Sequence, residues 1–244
     1  MQQPSNPIHL SDRRVIRVAG SDAAAFLQNV MTNDIAAAQP IVYSCLLSPQ
    51  GQFLHDFFVV RETDDSFLVD TDAARSDELI RRLTVFKLRA KITMTPVDDM
   101  KVYAGNDGHT DPRHAALGKR LYTTDNHTAD PVTAYNDLCI SLGIPTAAAI
   151  QPERDVLSDI NLDILNAVGW EKGCFIGQEV TARMKHRALA KKRLLIVEGN
   201  TLPPEAGEIR TVNSTGTKSL GMVKLAQFNE GKLDGKVTMP DYLK

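Results

Sequence analysis

Apolar residues recur with two different periods in the first hundred residues of the chain. Positions three or four apart are apolar after Ser21 and again from Ser76 to about Arg89, which predicts two amphipathic helices. Runs rich in β-branched and aromatic residues predict strands over 15–18, 43–47, 53–60, 66–69, 91–97 and 101–103. The turn Ser48-Pro49-Gln50-Gly51 separates two of these strands, so we expect an antiparallel hairpin.

The second half of the chain changes character twice. Residues 105–132 are rich in Gly, Asp, His, Asn and Thr, and we expect a surface connection with little packing of its own. A helical pattern over 132–142 follows and stops at Gly143, with Pro145 shortly after. From Leu194 onward, short β-type pieces predict a small separate β-barrel or sheet of about fifty residues. The prediction is an α+β protein with an α+β region over 1–190, possibly of two subdomains, and a C-terminal β-barrel over 191–244.

Composition narrows the function classes. The chain has 244 residues, 24% charged and 43% hydrophobic, with a formal net charge of −2, which is ordinary for a globular protein and gives no general attraction to nucleic acid. No apolar run approaches the roughly 20 residues that span a bilayer, and the first residues lack the apolar core of a secretory signal. Three widely spaced cysteines then predict reduced thiols in a cytoplasmic protein. Without a CxxC pair or HExxH, a metal site made by this chain alone is not expected.

The candidate chemistry centres on Cys174, in the stretch KGCFIGQEVTARMKHR over 172–187. Gly177 is expected near the start of a helix in which Glu179 and Arg183 form an i,i+4 pair, so Cys174 precedes the first turn. Unpaired backbone N–H groups at a helix N-terminus favour a thiolate, and Lys172 adds positive charge. A reactive cysteine is one interpretation. A small buried hydrophobic residue is the other, because free cysteines are commonly buried.

Two acidic positions are candidates for a binding pocket. Asp56 interrupts the apolar strand FLHDFFVV, where a buried acid needs partners or shifts its pKa. His55 beside it is expected to point to the opposite face of the strand. Asn33 and Asp34 follow the first helix, and the spacing alone favours turn and cap roles there.

A basic segment follows the cysteine motif. Seven Lys, Arg or His residues lie between Arg183 and Arg193, with no acid among them. Such a segment would attract an anion such as a carboxylate tail, a phosphate or RNA, whereas a solvated basic face is the alternative. No aromatic residue interleaves with these charges, as binding of single-stranded nucleic acid usually requires.

KGCFIGQE and the arginine downstream of it resemble the signature of the YgfZ-type folate-binding proteins. These are relatives of the glycine cleavage T-protein, an aminomethyltransferase. The segments GSDAAAFLQNVMTND, SPQGQFLHDFFVV, FKLRAKI and NLDILNAVG are similar to that family in the same order, so the resemblance extends over nearly the whole chain.

The resemblance implies ferredoxin-like antiparallel sheets with helices around a central pocket suited to tetrahydrofolate, and a small C-terminal β-barrel. It implies a role in assembling or maintaining iron–sulfur proteins, including radical enzymes that modify tRNA. The functional residues would be Cys174, Lys172 and Asp56. Residues from several segments would bind the folate: Asn33, Asp34, Tyr135, Gln178, Glu179 and Arg183.

The chain departs from the family at two points. Cys139 and Ser141 stand where relatives carry a basic or polar residue and a glutamate that binds the pterin ring. The loss of that carboxylate removes a charge-assisted hydrogen bond of ~1.5–3 kcal/mol. T-proteins also tend to have paired acids where this chain has His55 and Asp56. Both departures weigh against folate affinity and aminomethyl transfer.

Three functions follow from these features. The first is a folate-pocket scaffold for assembly or repair of four-iron proteins, in which Cys174 ligates a transient cluster, exchanges with a small thiol or relieves oxidative damage. The second is a tetrahydrofolate-dependent one-carbon transferase, with Asp56 or Asp34 orienting the nucleophile. The third is a tRNA-binding protein acting through residues 183–193. The thiol motif and the extent of the resemblance favour the first.

Overall fold

The computed structural model describes residues 6–36, 40–187, 190–233 and 235–244. The strands are β1 (Ile8–His9), β2 (Arg13–Ala19), β3 (Ile41–Leu47), β4 (Phe53–Thr63), β5 (Ser66–Asp72), β6 (Thr93–Pro96), β7 (Lys101–Gly105), β8 (His109–Thr110), β9 (Lys119–Thr123), β10 (Lys192–Glu198), β11 (Gly207–Val212), β12 (Lys218–Lys224) and β13 (Val237–Thr238). The α-helices are α1 (Ala23–Val30), α2 (Ser76–Lys87), α3 (Val132–Leu142), α4 (Gln178–His186) and α5 (Leu225–Asn229). None of the helices in these ranges is long and apolar enough to cross a membrane.

A five-stranded antiparallel sheet in the order β3-β4-β5-β2-β6 forms the first half of the molecule. Its β3–β4 pair is the hairpin that the sequence predicts, with Ile41 opposite Val60 and Leu47 opposite Phe53. Because side chains alternate along a strand, one face of the sheet packs its apolar residues against α1 and α2. The other face contributes to a second core.

The second core lies between that sheet, helix α3 and the irregular segment that includes Leu157, Leu162 and Val168. Tyr43 and Phe58 from the five-stranded sheet are buried in it. A central pocket would lie in this core, with the strands of the sheet and α3 as its facing walls.

A four-stranded antiparallel sheet, β1-β7-β9-β8, borders this core. Two of its strands, β8 and β9, fall within residues 105–132. The prediction that this segment is a surface connection with little packing is therefore wrong. Two of its charged residues, Asp111 and Arg120, are almost completely buried. Charges that pair with one another in the interior cannot be told from surface charges by composition alone.

The C-terminal strands form a third antiparallel sheet in the order β11-β12-β10-β13. It packs its own small core of Leu195, Val197 and Val223, while Leu194 and Ile196 on the alternate face join the central core. In the part of the chain that the structure describes, β11 and β13 are edge strands and no closed barrel forms. The α+β class and antiparallel sheets are confirmed, but the predicted barrel is not.

Candidate functional site

The three cysteines occupy two different environments. Cys174 is exposed, whereas Cys45 and Cys139 are buried. Burial raises the pKa of Cys139 to about 12 and the pKa of Cys45 well above its usual value. A neutral, enclosed thiol neither binds metal nor exchanges with another thiol. Cys174 is therefore the one cysteine of the three that is open to chemistry with a partner.

Cys174 lies on a loop that ends at the start of α4. Gly177 is the N-cap residue of this helix and has a φ of 80°, in the left-handed region that favours glycine. The backbone N–H of Phe175 donates to the side-chain oxygen of Gln178 (3.1 Å), and the N–H of Gln178 lies 3.3 Å from the carbonyl oxygen of Phe175. The predicted position of Cys174, just before the first helical turn, matches this geometry. The side-chain oxygen of Gln178 holds the loop through its hydrogen bond with the N–H of Phe175.

Lys172 contacts the end of another helix. Its ammonium group donates to the carbonyl oxygens of Gln28 (2.7 Å), Met31 (2.5 Å) and Asn33 (3.0 Å), beyond and within the last turn of α1. A cation at this end of a helix satisfies carbonyl groups that have no helical partner. Burial lowers the pKa of Lys172 to about 8, against the opposing charge of Asp34. Lys172 thus anchors the cysteine loop to α1.

The exposed face of α4 carries basic residues next to an aromatic side chain. The ammonium group of Lys185 lies 3.8 Å from the centre of the Trp170 ring, a cation–π contact. Arg183 pairs with Glu179 on the same helix at 2.5 Å, with both side chains exposed. A pair of this kind contributes little to stability. Neither Glu179 nor Arg183 lines the central pocket.

The basic segment 183–193 is partly neutralised by acids from elsewhere in the chain. Lys192 lies 3.1 Å from Asp159, and Arg193 forms a 2.6 Å pair with Asp163. Within the described ranges, Lys185, Arg187 and Lys191 have no acidic partner. Residues 188 and 189 of the segment lie outside those ranges. The sequence shows no acid within the segment, but the fold supplies two.

Asn33 and Asp34 adopt the turn roles that their spacing favours. The side-chain amide of Asn33 donates to the carbonyl oxygens of Tyr43 (2.8 Å) and Asn166 (2.7 Å). The carboxylate of Asp34 accepts from the N–H of Ala36 at 2.8 Å. Both side chains hold the loop that follows α1, and neither lines the same cavity as Asp56.

Asp56 lies at the rim of a buried polar region in the central core. It accepts a hydrogen bond from the hydroxyl of Tyr43 (3.1 Å) and lies 3.9 Å from Arg13. His55 faces the opposite side of the sheet, where its Nε2 is 3.7 Å from Glu78. The two neighbours therefore do not form a dyad, as the alternation of the strand predicts.

Five charged residues, the central charged cluster, fill the region beyond Asp56. They are Arg13, Asp70, Asp111, Arg113 and Arg120. Asp70 accepts from Arg13 Nε (2.7 Å) and from Arg120 Nη2 (2.6 Å). Arg113 forms a two-pronged pair with Asp111 at 3.0 and 2.8 Å. Sequence reasoning missed all five, because strand and loop positions gave no sign that they meet.

Tyr135 belongs to this cluster as well. Its hydroxyl accepts from Arg113 at 2.6 Å and donates to Asp111 at 3.1 Å. Burial raises the pKa of Tyr135 above its usual value. Burial also opposes the charge on Asp111, but the arginines outweigh it and hold the pKa of Asp111 at about 2. The predicted folate-contacting aromatic is thus engaged in internal hydrogen bonds.

Of the predicted site residues, Asp56 and Tyr135 line one central cavity, whereas Lys172 contacts Asn33 and Glu179 pairs with Arg183 outside it. That cavity has a volume of about 40 Å³. A water molecule takes about 30 Å³ of liquid, whereas pockets for small-molecule ligands span roughly 300–1,000 Å³. The residues that line it do not fit a folate. Cys174, Glu179 and Arg183 are exposed and Lys172 and Gln178 are half-buried, and none of the five lines this cavity.

Both the sequence and the fold of this chain are similar to those of known proteins. A model of the GCVT N-terminal domain matches residues 8–103. The glycine cleavage system aminomethyltransferase T from Bartonella henselae superposes with a TM-score of 0.70 at 14% identity, covering 90% of this chain and 78% of that chain. The mitochondrial iron–sulfur cluster assembly factor IBA57 of Mus musculus is 31% identical, over 91% of this chain and 75% of that protein. A Pyricularia oryzae homologue is 32% identical, over 76% of this chain and 55% of its own length.

The fold is that of the glycine cleavage T-protein. Within that class, the chain belongs to the T-protein-like family of iron–sulfur cluster assembly factors, as the cysteine motif predicts. The chain spans about half the length of the fungal relatives and three quarters of the mouse protein.

The prediction of a cytoplasmic protein is wrong. The curated relatives from Mus musculus, Homo sapiens and Pyricularia oryzae are all named as mitochondrial proteins. The prediction failed for a physical reason. An apolar core marks a secretory signal, whereas mitochondrial targeting segments are amphipathic and rich in arginine, so the missing apolar core says nothing about mitochondrial import.

Proposed function

We propose that this chain assists the assembly or repair of iron–sulfur proteins, with the thiol of Cys174 as its functional group. The observation that carries the proposal is the contrast among the three cysteines, of which Cys174 alone is exposed. A sulfur has to be exposed to reach a metal or a thiol that another protein holds. The relatives named as iron–sulfur cluster assembly factors support the same role.

In this proposal the iron–sulfur cluster is the cargo of the protein. A four-iron cluster takes four ligands, usually thiolates. Within the described ranges, no group of three or more His, Cys, Asp or Glu residues is arranged to hold a metal. Cys174 therefore supplies one thiolate, losing its proton as iron binds, and a client protein or a small thiol supplies the other ligands.

The loop geometry supports a positioned thiol over a freely moving one. Lys172 ties the loop to α1 through three carbonyl oxygens, and Gln178 ties it to the start of α4. Gly177 packs against the β3–β4 turn, because a Cβ at this position would lie 2.5 Å from the carbonyl oxygen of Ser48. These contacts hold the loop on both sides of Cys174.

Two other functions have weaker support. The case for tRNA binding through residues 183–193 is weaker because Lys192 and Arg193 are paired with acids of this chain. The case for one-carbon transfer is weaker because the cavity that holds Asp56 has room for little more than a water molecule. We therefore propose neither tRNA nor tetrahydrofolate as a partner, and we propose client iron–sulfur proteins instead.

The test is rescue of cells that lack their own factor of this family. The activity of a four-iron enzyme is measured in extracts, with the amount of each variant quantified. Cys174→Ala is expected to accumulate normally and to lose the rescue. Cys139→Ala is the matched control, since it removes a buried sulfur of equal size and should retain the rescue. Full rescue by Cys174→Ala would rule out the proposed role of the thiol.

A further inference from the structure

The central cavity is small because three arginine side chains converge on one aromatic ring. The guanidinium carbons of Arg120, Arg113 and Arg13 lie 3.8, 4.9 and 5.7 Å from the centre of the Phe58 ring. Arg113 also lies 5.3 Å from the centre of the Tyr43 ring. Flat cations against aromatic rings occupy the kind of space that a planar ring system would otherwise take.

The arginines are held in this place by buried acids. Arg120 is buried between Asp70 (2.6 Å) and Asp111 (3.5 Å). Arg13 donates to the carboxylate of Asp70 and to its backbone oxygen at 2.7 and 2.8 Å. Because these charges are buried, none of them can swing away without leaving its partner unpaired in the interior.

The central charged cluster also joins parts of the fold that are distant in sequence. Asp70 is on β5 of the five-stranded sheet, Arg120 is on β9 of the second sheet, and Tyr135 is on α3. The hydrogen bonds of Arg120 to Asp70 and Tyr135 therefore connect all three. Removing the cluster to admit a ligand would separate the walls of the cavity from one another.

We infer that the central charged cluster occupies the place a folate would take, and that this protein acts without a folate in its central cavity. Larger spaces exist beside it, namely a cleft of about 580 Å³ between α3 and β7 and a surface depression of about 450 Å³ next to Asn33. Neither is lined by Asp56, although Tyr135 lines the cleft and Asn33 lines the depression.

The test is calorimetric titration of the whole chain with 5-formyltetrahydrofolate, with a folate-binding enzyme titrated in parallel to show that the ligand is active. We expect no saturable binding up to about 1 mM, which corresponds to a binding free energy weaker than about −4 kcal/mol. The same result is expected for Asp56→Asn. This titration does not involve Cys174, so its failure and the failure of the proposed thiol function are separable.

Two positive results have opposite meanings. Saturable binding in the micromolar range that weakens at least tenfold in Asp56→Asn and is retained in Leu138→Trp would place the folate in the central cavity and overturn the inference. Binding that is unchanged in Asp56→Asn but is lost in Leu138→Trp would place it in the cleft, which Leu138 lines. That outcome would support the closure of the central cavity.

Discussion

The ammonium group of Lys172 donates to the carbonyl oxygen of Met31, 2.5 Å away, at the C-terminal end of α1. This contact joins the loop that carries Cys174 to the end of α1, where Met31 lies 141 positions before Lys172 in the chain. The lysine of the cysteine motif therefore acts on the thiol through the position of the loop.

Replacing Lys172 with Met is expected to loosen this loop. Three carbonyl oxygens lose a charged donor, and a hydrogen bond to a charged group is worth about 1.5–3 kcal/mol. Hydrogen exchange should accelerate over residues 169–178, with a lower melting temperature. Lys185→Met is the control, because Lys185 contacts only the face of Trp170 among the interactions described and should leave the loop unchanged. Equal exchange rates in both variants would contradict the anchoring role.

Gly177→Ala tests the left-handed turn before α4. The new Cβ would lie 2.5 Å from the carbonyl oxygen of Ser48, and its φ of 80° is strained for alanine. We expect a loss of at least about 1 kcal/mol in unfolding free energy, measured by urea denaturation, and impaired rescue in cells. Gly173→Ala, where nothing lies within 4 Å of the new Cβ, should change neither. A stable and active Gly177→Ala variant would show that the turn does not position the thiol.

Arg120→Met tests the central charged cluster. The substitution removes the buried contacts of Arg120 with Asp70 and Asp111, which keep Arg13 and Arg113 as their other partners. Breaking a buried pair costs about 3–5 kcal/mol. Urea denaturation should show a loss of this size. Arg17→Met breaks the partly exposed pair with Glu62 and should cost no more than about 1 kcal/mol. If the two variants lost the same small amount, the cluster would not be a structural element of the core.

His55 predicts a dependence of stability on acid pH. Burial, together with the charges of Arg75 and Arg82 and against that of Glu78, lowers the pKa of His55 to about 4. Between its unfolded pKa of about 6.5 and pH 4, the unfolded chain binds more protons than the native protein. Stability should therefore fall over this range as pH decreases, by up to about 3 kcal/mol. His55→Gln should show a flatter profile in urea denaturation, and an unchanged profile would contradict this.

Local patterns were sufficient for the elements whose signals lie within a few residues. The turn at 48–51 predicts the β3–β4 hairpin, and Gly143 marks the end of α3. The position of Cys174 before α4 follows from Gly177 in the same way. Helix ends were less accurate, since α1 starts after Asp22 and α2 stops at Lys87.

The central charged cluster could not be predicted, because its partners are far apart in sequence. Arg120 and Asp70 are separated by 50 positions, and Arg13 and Asp70 by 57. No local spacing encodes such a pairing, and the composition of residues 105–132 predicts only a polar surface segment around Asp111 and Arg113. The domain border between residues 190 and 191 stays a prediction. The functional roles of the predicted site residues stay predictions as well.

Alkylation of the native protein with iodoacetamide under reducing conditions, read out by mass spectrometry, compares the accessibility of the three thiols directly. We expect Cys174 to be modified first and Cys45 and Cys139 to react only when the protein is unfolded, since both are buried. Modification of Cys139 or Cys45 in the native state at the rate of Cys174 would contradict this expectation. So would a Cys174 that stays unmodified until unfolding.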